Sequence, residues 1–88
     1  MDAYVLVQTD ANYETVAGAL REIPGVAFAE DLRGAYDAIA LARAASMQDL
    51  VDGVLERIRR VPGVTRALPA PRIEVHSAGG RAARDEAA

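Results

Sequence analysis

Apolar positions along the chain follow two periods, and the switch between them marks the elements. Residues 3–9 (Ala-Tyr-Val-Leu-Val-Gln-Thr) are β-prone and apolar at even and odd positions alike, the pattern of a strand covered on both faces. Asp10 and Asn12 offer helix N-caps, and Tyr13, Val16, Ala17, Leu20 and Ile23 follow at spacings of three and four, one helical face. Pro24-Gly25 stops that helix. Two short runs, residues 26–31 and 38–42, then flank Leu32-Arg33-Gly34-Ala35-Tyr36-Asp37 and predict a β-hairpin. Ser46, with Asp49 three residues on, caps a second helix whose stripe is Met47, Leu50, Val51, Val54, Leu55, Ile58 and Val61. On its polar side Glu56 and Arg60 are spaced as an i,i+4 pair. Pro62-Gly63 stops it. A last strand runs from Val64 to about Val75. Pro69 and Pro71 cannot serve a doubly bonded strand, so this one lies at an edge or bends there.

The hairpin pattern also predicts faces. A two-residue loop at Gly34-Ala35 pairs Arg33 with Tyr36. Val26, Phe28, Leu32, Ile39 and Leu41 then share one face, and Ala27, Ala29, Ala38, Ala40 and Ala42 the other. The bulky face is expected to meet the helices. The alanine face is apolar where a solvated face would be polar, so it is expected to be covered by a second sheet in a dimer. Glu30 and Asp37 fit this scheme poorly, since it puts both on the bulky face.

Ile23-Pro24-Gly25-Val26 recurs as Val61-Pro62-Gly63-Val64, each copy closing a helix and opening a strand. The chain is therefore a duplicated βαβ unit. Right-handed crossovers turn it into an α+β, four-stranded antiparallel sheet with both helices on one face.

Composition narrows the function classes. The 88 residues make one domain, residues 1–76, followed by a tail, 77–88, with no large apolar side chain and expected to be disordered. A domain of this size buries only about 60% of its unfolded surface. There are no cysteines to staple it, so oligomerisation is the common remaining route to stability. The net charge is −3, and all ten basic residues are Arg, which gives no electrostatic case for direct nucleic-acid binding. No apolar run approaches a membrane span and no signal-peptide pattern opens the chain, so a cytoplasmic location is expected.

Candidate chemistry is sparse. Asp31, Arg33, Tyr36 and Asp37 cluster at the hairpin tip. One reading is turn chemistry with a surface ion pair. The other is a small zwitterion site, with Asp37 holding an ammonium, backbone N–H groups near Gly34 and Ala35 receiving a carboxylate, and Tyr36 as a wall. His76 has no metal-ligand spacing around it except to Glu74. Arg57, Arg59 and Arg60 share their helix with acids and read as a solvated face. Ser46 reads as a cap rather than a nucleophile. No catalytic group, metal or cofactor is expected.

The order strand, helix, Ile-Pro-Gly-Val, strand, Arg-Gly-Ala-Tyr-Asp, strand, helix, Val-Pro-Gly-Val-Thr-Arg resembles the ligand-binding (RAM) domain of the Lrp/AsnC family of amino-acid-responsive regulators, over residues 3 to about 75. The resemblance implies a ferredoxin-like βαββαβ domain that dimerises sheet to sheet as a dimeric α/β barrel, with further assembly into octamer-like rings. It implies an amino acid or related effector near the hairpin loop, and Gly34, Tyr36 and Asp37 match the loop motif. The family's Thr-x-Thr after Pro-Gly-Val reads Thr65-Arg66-Ala67 here, without the second Thr. Full-length members carry an N-terminal helix-turn-helix domain. This chain begins two residues before its first strand and resembles the stand-alone members, which are expected to sense a ligand or to co-assemble with a full-length regulator. Two alternatives share the topology: small cofactor-free dimeric α/β-barrel enzymes of monooxygenase or isomerase type, and ACT-like regulatory domains, whose sheets sit side by side.

Overall fold

The computed structural model describes residues 1–10 and 15–71. Within them lie β1 (Asp2–Thr9), α1 (Val16–Arg21), β2 (Val26–Asp31), β3 (Ala38–Arg43), a second helix and β4 (Val64–Pro71). The second helix, α2, spans 47–59. It is α-helical at Met47–Asp49 and Glu56–Arg59 and π-helical at Leu50–Leu55. The strands form one antiparallel sheet in the order β2-β3-β1-β4. This is the ferredoxin-like α+β fold, and β4 is an edge strand as its prolines require. Asn12, Tyr13, His76 and the 76/77 boundary lie outside the described residues.

The duplication is visible in the hydrogen bonds. Ile23 and Val61 donate back to Leu20 and Ile58, and Val26 and Val64 donate to Ile23 and Val61, all at 3.0–3.1 Å. Gly25 and Gly63 both have positive φ, 96° and 94°. Their carbonyls accept from Arg43 at 2.7 Å and from Asp10 at 2.8 Å, so each closure is tied to the end of a central strand. Arg21 Nε donates to the Ala29 carbonyl at 3.0 Å, and Arg59 Nη2 donates to the Ala67 carbonyl at 3.4 Å. Each helix thus ends on an arginine that caps a carbonyl of the strand it leads into.

The face assignment expected from the sequence is inverted except at Val26, which pairs with Ala42 and packs against the core on the helix side. Ala3, Ala38, Ala40 and Ala42 are fully buried with Val5 and Val7 under the helices, beside Leu20, Leu50, Leu55 and Ile58. The gap between the layers is filled from the helix side, so the sheet must supply small residues for close packing. The bulky residues occupy the opposite, helix-free face. There Phe28 is 39% exposed, and the register places Phe28, Leu41 and Tyr4 in one row with Ile39, Leu6 and Leu68 in the next. Tyr4 and Phe28 meet edge to face at 6.3 Å, one on each side of Leu41. Glu30 and Asp37 cease to be misfits, because their face is the open one.

Two local expectations also change. The hairpin register is as predicted from Phe28 to Asp31, but Ala27 is a bulge, since Val26 pairs with Ala42 and Phe28 with Leu41. On the polar side of α2, Glu56 pairs with Arg59 at 3.4 Å rather than with Arg60. The Ser46 cap forms as expected, its Oγ accepting from the Asp49 N–H at 3.1 Å.

Candidate functional site

The hairpin tip is held by the strand beside it. The last rung of the ladder is Leu32 N–H to the Asp37 carbonyl at 2.8 Å, so Arg33 does not pair with Tyr36 and the two-residue loop expected from the sequence is a four-residue turn, 33–36, in the same register. Gly34 supplies a φ of 117°, a conformation an L side chain adopts only with strain. Asp37 is the anchor. Its N–H donates to the Val7 carbonyl at 2.8 Å, and its Oδ2 accepts from the Thr9 N–H at 2.7 Å. Gln8 Nε2 adds a bond to the Ala35 carbonyl at 2.7 Å. Gln8 pairs with Arg66 and Thr9 with Val64, so Thr65 is an extra, bulged residue of β4, and its Oγ1 donates to the Gln8 carbonyl at 3.3 Å.

The structure therefore brings Gly34, Tyr36 and Asp37 together at one end of the sheet and adds Gln8, Thr9 and Thr65, which sequence reasoning did not single out. Their signal lay in the register. Once β1 lies between β3 and β4, its last residues must meet both the tip and the start of β4. Tyr36 is half-buried, and its hydroxyl has no partner among the described residues. Asp31 leaves the cluster. Its Oδ1 accepts from the Ala17 N–H at 3.1 Å in the first turn of α1, a cap lent by a neighbouring strand. Thr15, at the N-cap position itself, makes no such side-chain bond. Arg33 is exposed.

A groove of about 320 Å³ runs along the nearby edge of β4, lined by Arg59, Val64, Thr65, Arg66, Ala67 and Leu68. Among the described residues no group of three or more His, Cys, Asp or Glu is placed to hold a metal ion. No helix among them is long and apolar enough to cross a membrane.

Known proteins share this architecture. The chain is similar to the crystal structure of FFRP-DM1, at 28% identity and a TM-score of 0.72, over 82% of this chain and 97% of that one. It is similar to the hypothetical protein PHS023 from Pyrococcus horikoshii, at 27% identity and a TM-score of 0.69, over 90% and 98% of the two chains. TTHA0845 from Thermus thermophilus matches at 32% identity and a TM-score of 0.63, over 85% and 98%. No functionally curated protein matches the chain significantly. The family model described as the Lrp/AsnC ligand binding domain matches residues 2–68, most of the chain, and the protein belongs to that family of regulatory domains.

Proposed function

We propose that this chain is a non-enzymatic module that binds an amino-acid-type effector at the hairpin end of the sheet and assembles through the open sheet face. The observation that carries the reading is the pinned tip. Asp37 and Gln8 hold a glycine turn against β1, so backbone N–H groups and the Tyr36 ring stand in a fixed arrangement. A flexible turn would have to be ordered by its ligand, at a cost in affinity. With Asp37 Oδ2 committed to Thr9, Oδ1 is the oxygen that receives the ligand's ammonium. The Gly34-Ala35 segment receives its carboxylate. The open face supports the assembly half, because contiguous bulky apolar side chains on one side of a small sheet mark an interaction surface. Homodimers, and rings of dimers, place hairpin tips of neighbouring protomers near one another. A full-length regulator of the same family is a further partner, and the cytoplasm is the compartment in which such an effector is sensed.

The test is a thermal melt of the pure protein against the standard amino acids at millimolar concentration. A ligand at 100 times its Kd stabilises by about 2.7 kcal/mol. That is a shift of several degrees for a domain of this size. One or a few clear shifts, lost in Asp37→Ala, are expected. A flat panel with the wild type would overturn the amino-acid reading. Shifts retained in Asp37→Ala would move the site away from the tip.

A further inference from the structure

The open face carries two charges that the described residues leave unused. Glu30 stands on edge strand β2, opposite Ile39, and Arg66 on edge strand β4, opposite Gln8. Neither has an ion-pair or hydrogen-bond partner among the described residues. They cannot serve each other within one chain. Three strand spacings separate β2 from β4, about 14 Å. Among the described residues, two other charged groups on this face are already engaged. Arg43 pairs with Asp2 at 3.4 Å, and the Asp37 carboxylate holds the Thr9 N–H. The face is thus an apolar centre of Tyr4, Leu6, Phe28, Ile39, Leu41 and Leu68, with an unpaired anion on one edge and an unpaired cation on the other.

Two such faces can be stacked about a two-fold axis in two ways. An axis running across the strands lays β2 over the partner's β2, so like charges share an edge and neither finds a counter-ion. An axis running along the strands lays β2 over the partner's β4. Each Glu30 then lies one step along the strand, about 7 Å, from the level of the partner's Arg66. With the sheets about 10 Å apart, the two backbones lie about 12 Å from each other, a gap that the glutamate and arginine side chains bridge together. The contact is heterotypic and is made twice, once at each edge.

We propose that the chain pairs with a second copy of itself about the axis along the strands, and that Glu30 and Arg66 are the residues that select its partner. This rests on the reading of the open face as a self-association surface. The apolar centre drives association without regard to identity, while the charged rim decides which chains are accepted. A related chain with the two charges exchanged, a cation on β2 and an anion on β4, is rejected at both edges. A chain carrying the same two charges is admitted, which makes the pair a rule for co-assembly as well as for homodimers.

Two charge reversals test this. Glu30→Arg puts two Arg–Arg contacts in its homodimer, and Arg66→Glu puts two Glu–Glu contacts in its own. Each is expected to raise the dimer Kd at least tenfold by sedimentation velocity. An equimolar mixture of the two variants restores opposite charges at both edges. Native mass spectrometry is expected to show heterodimer far above the statistical half, at near-wild-type affinity. A folding defect in either variant would not be repaired by mixing. A wild type that dimerises, with both variants dimerising equally well and mixing statistically, would overturn the pairing rule while leaving the open face as the interface. A wild type monomeric at 100 μM would overturn the self-association reading itself, and the rule with it.

Discussion

The two faces of the sheet are both apolar, yet they are built to opposite specifications. The helix-facing side is alanine and valine, fully buried, and takes its bulk from the leucines and isoleucine of α1 and α2. The open side carries tyrosine, phenylalanine, leucine and isoleucine, with Phe28 left 39% exposed. Side-chain size on a strand is therefore no guide to burial within the protomer. Where a helix docks closely, bulk on the helix excludes bulk on the sheet. Where no helix docks, the sheet is free to carry large side chains.

The sharpest test of this contrast is a charge placed on each side in turn. Val5→Asp buries a carboxylate under the helices without a counter-ion, which costs several kcal/mol, comparable to the whole stability of a small domain. Loss of the folded far-UV circular dichroism spectrum is expected. Leu6→Asp, one residue along, points the carboxylate out of the open face. It is expected to keep that spectrum at low temperature while abolishing dimers in sedimentation. Its Tm should also lose the dependence on protein concentration expected of the wild type. Equal damage from the two would mean that the faces do not differ as described.

The glycines give the next largest effect. Gly25→Ala puts a methyl into Val54 and within 3.1 Å of the Arg43 carbonyl, at a φ of 96°. The loss in chemical denaturation is expected to be about 3 kcal/mol. Gly34→Ala meets open space at a φ of 117°. It carries only the left-handed backbone strain, about 1 kcal/mol. The closure of the fold and the tip of the hairpin thus use the same residue type for different reasons. A smaller contrast is steric. Ala40→Leu overpacks the helix-facing layer and is expected to cost about 1–3 kcal/mol, while Ile39→Leu on the open face stays below about 1.5 kcal/mol.

Much of this was legible in the sequence, and the failures have physical causes. The Pro-Gly-Val closures, the Ser46 cap, the hairpin register and the edge position of β4 follow from local rules that tertiary packing left intact. Gly34, Tyr36 and Asp37 were locatable for the same reason. The face assignment failed because it treated bulk as a sign of burial in the chain's own core. The core is shared between sheet and helices, and either can supply the volume. Gln8, Thr9 and Thr65 were missed at the tip because their roles arise only when β1 is flanked on both sides. The π-helical turn of Leu50–Leu55 leaves the apolar stripe unbroken, so periodicity did not reveal it. Asp31 looked like part of the tip because it is near in sequence. Its side chain points the other way, and a capping bond formed across 14 positions leaves no local signature.

Asp31 and Glu30 make the finest version of the comparison, two adjacent acids on opposite faces. Asp31 stands in for an N-cap that Thr15 does not provide, accepting from the Ala17 N–H at 3.1 Å. Removing it leaves a helix N–H without its acceptor and takes an anion from the positive end of α1. Asp31→Ala is expected to cost about 1 kcal/mol. For a domain of this size that lowers Tm by roughly 4–8 °C. Asn keeps the acceptor without the charge and should recover most of the loss. Glu30→Ala removes no bond among the described residues. At a protein concentration low enough to hold the chain monomeric, its Tm should match the wild type within the shift expected for about 0.5 kcal/mol. Its effect should appear only as the concentration is raised and dimers form. A Glu30→Ala monomer as destabilised as Asp31→Ala would mean that both acids serve the protomer, and that the open face is not reserved for a partner.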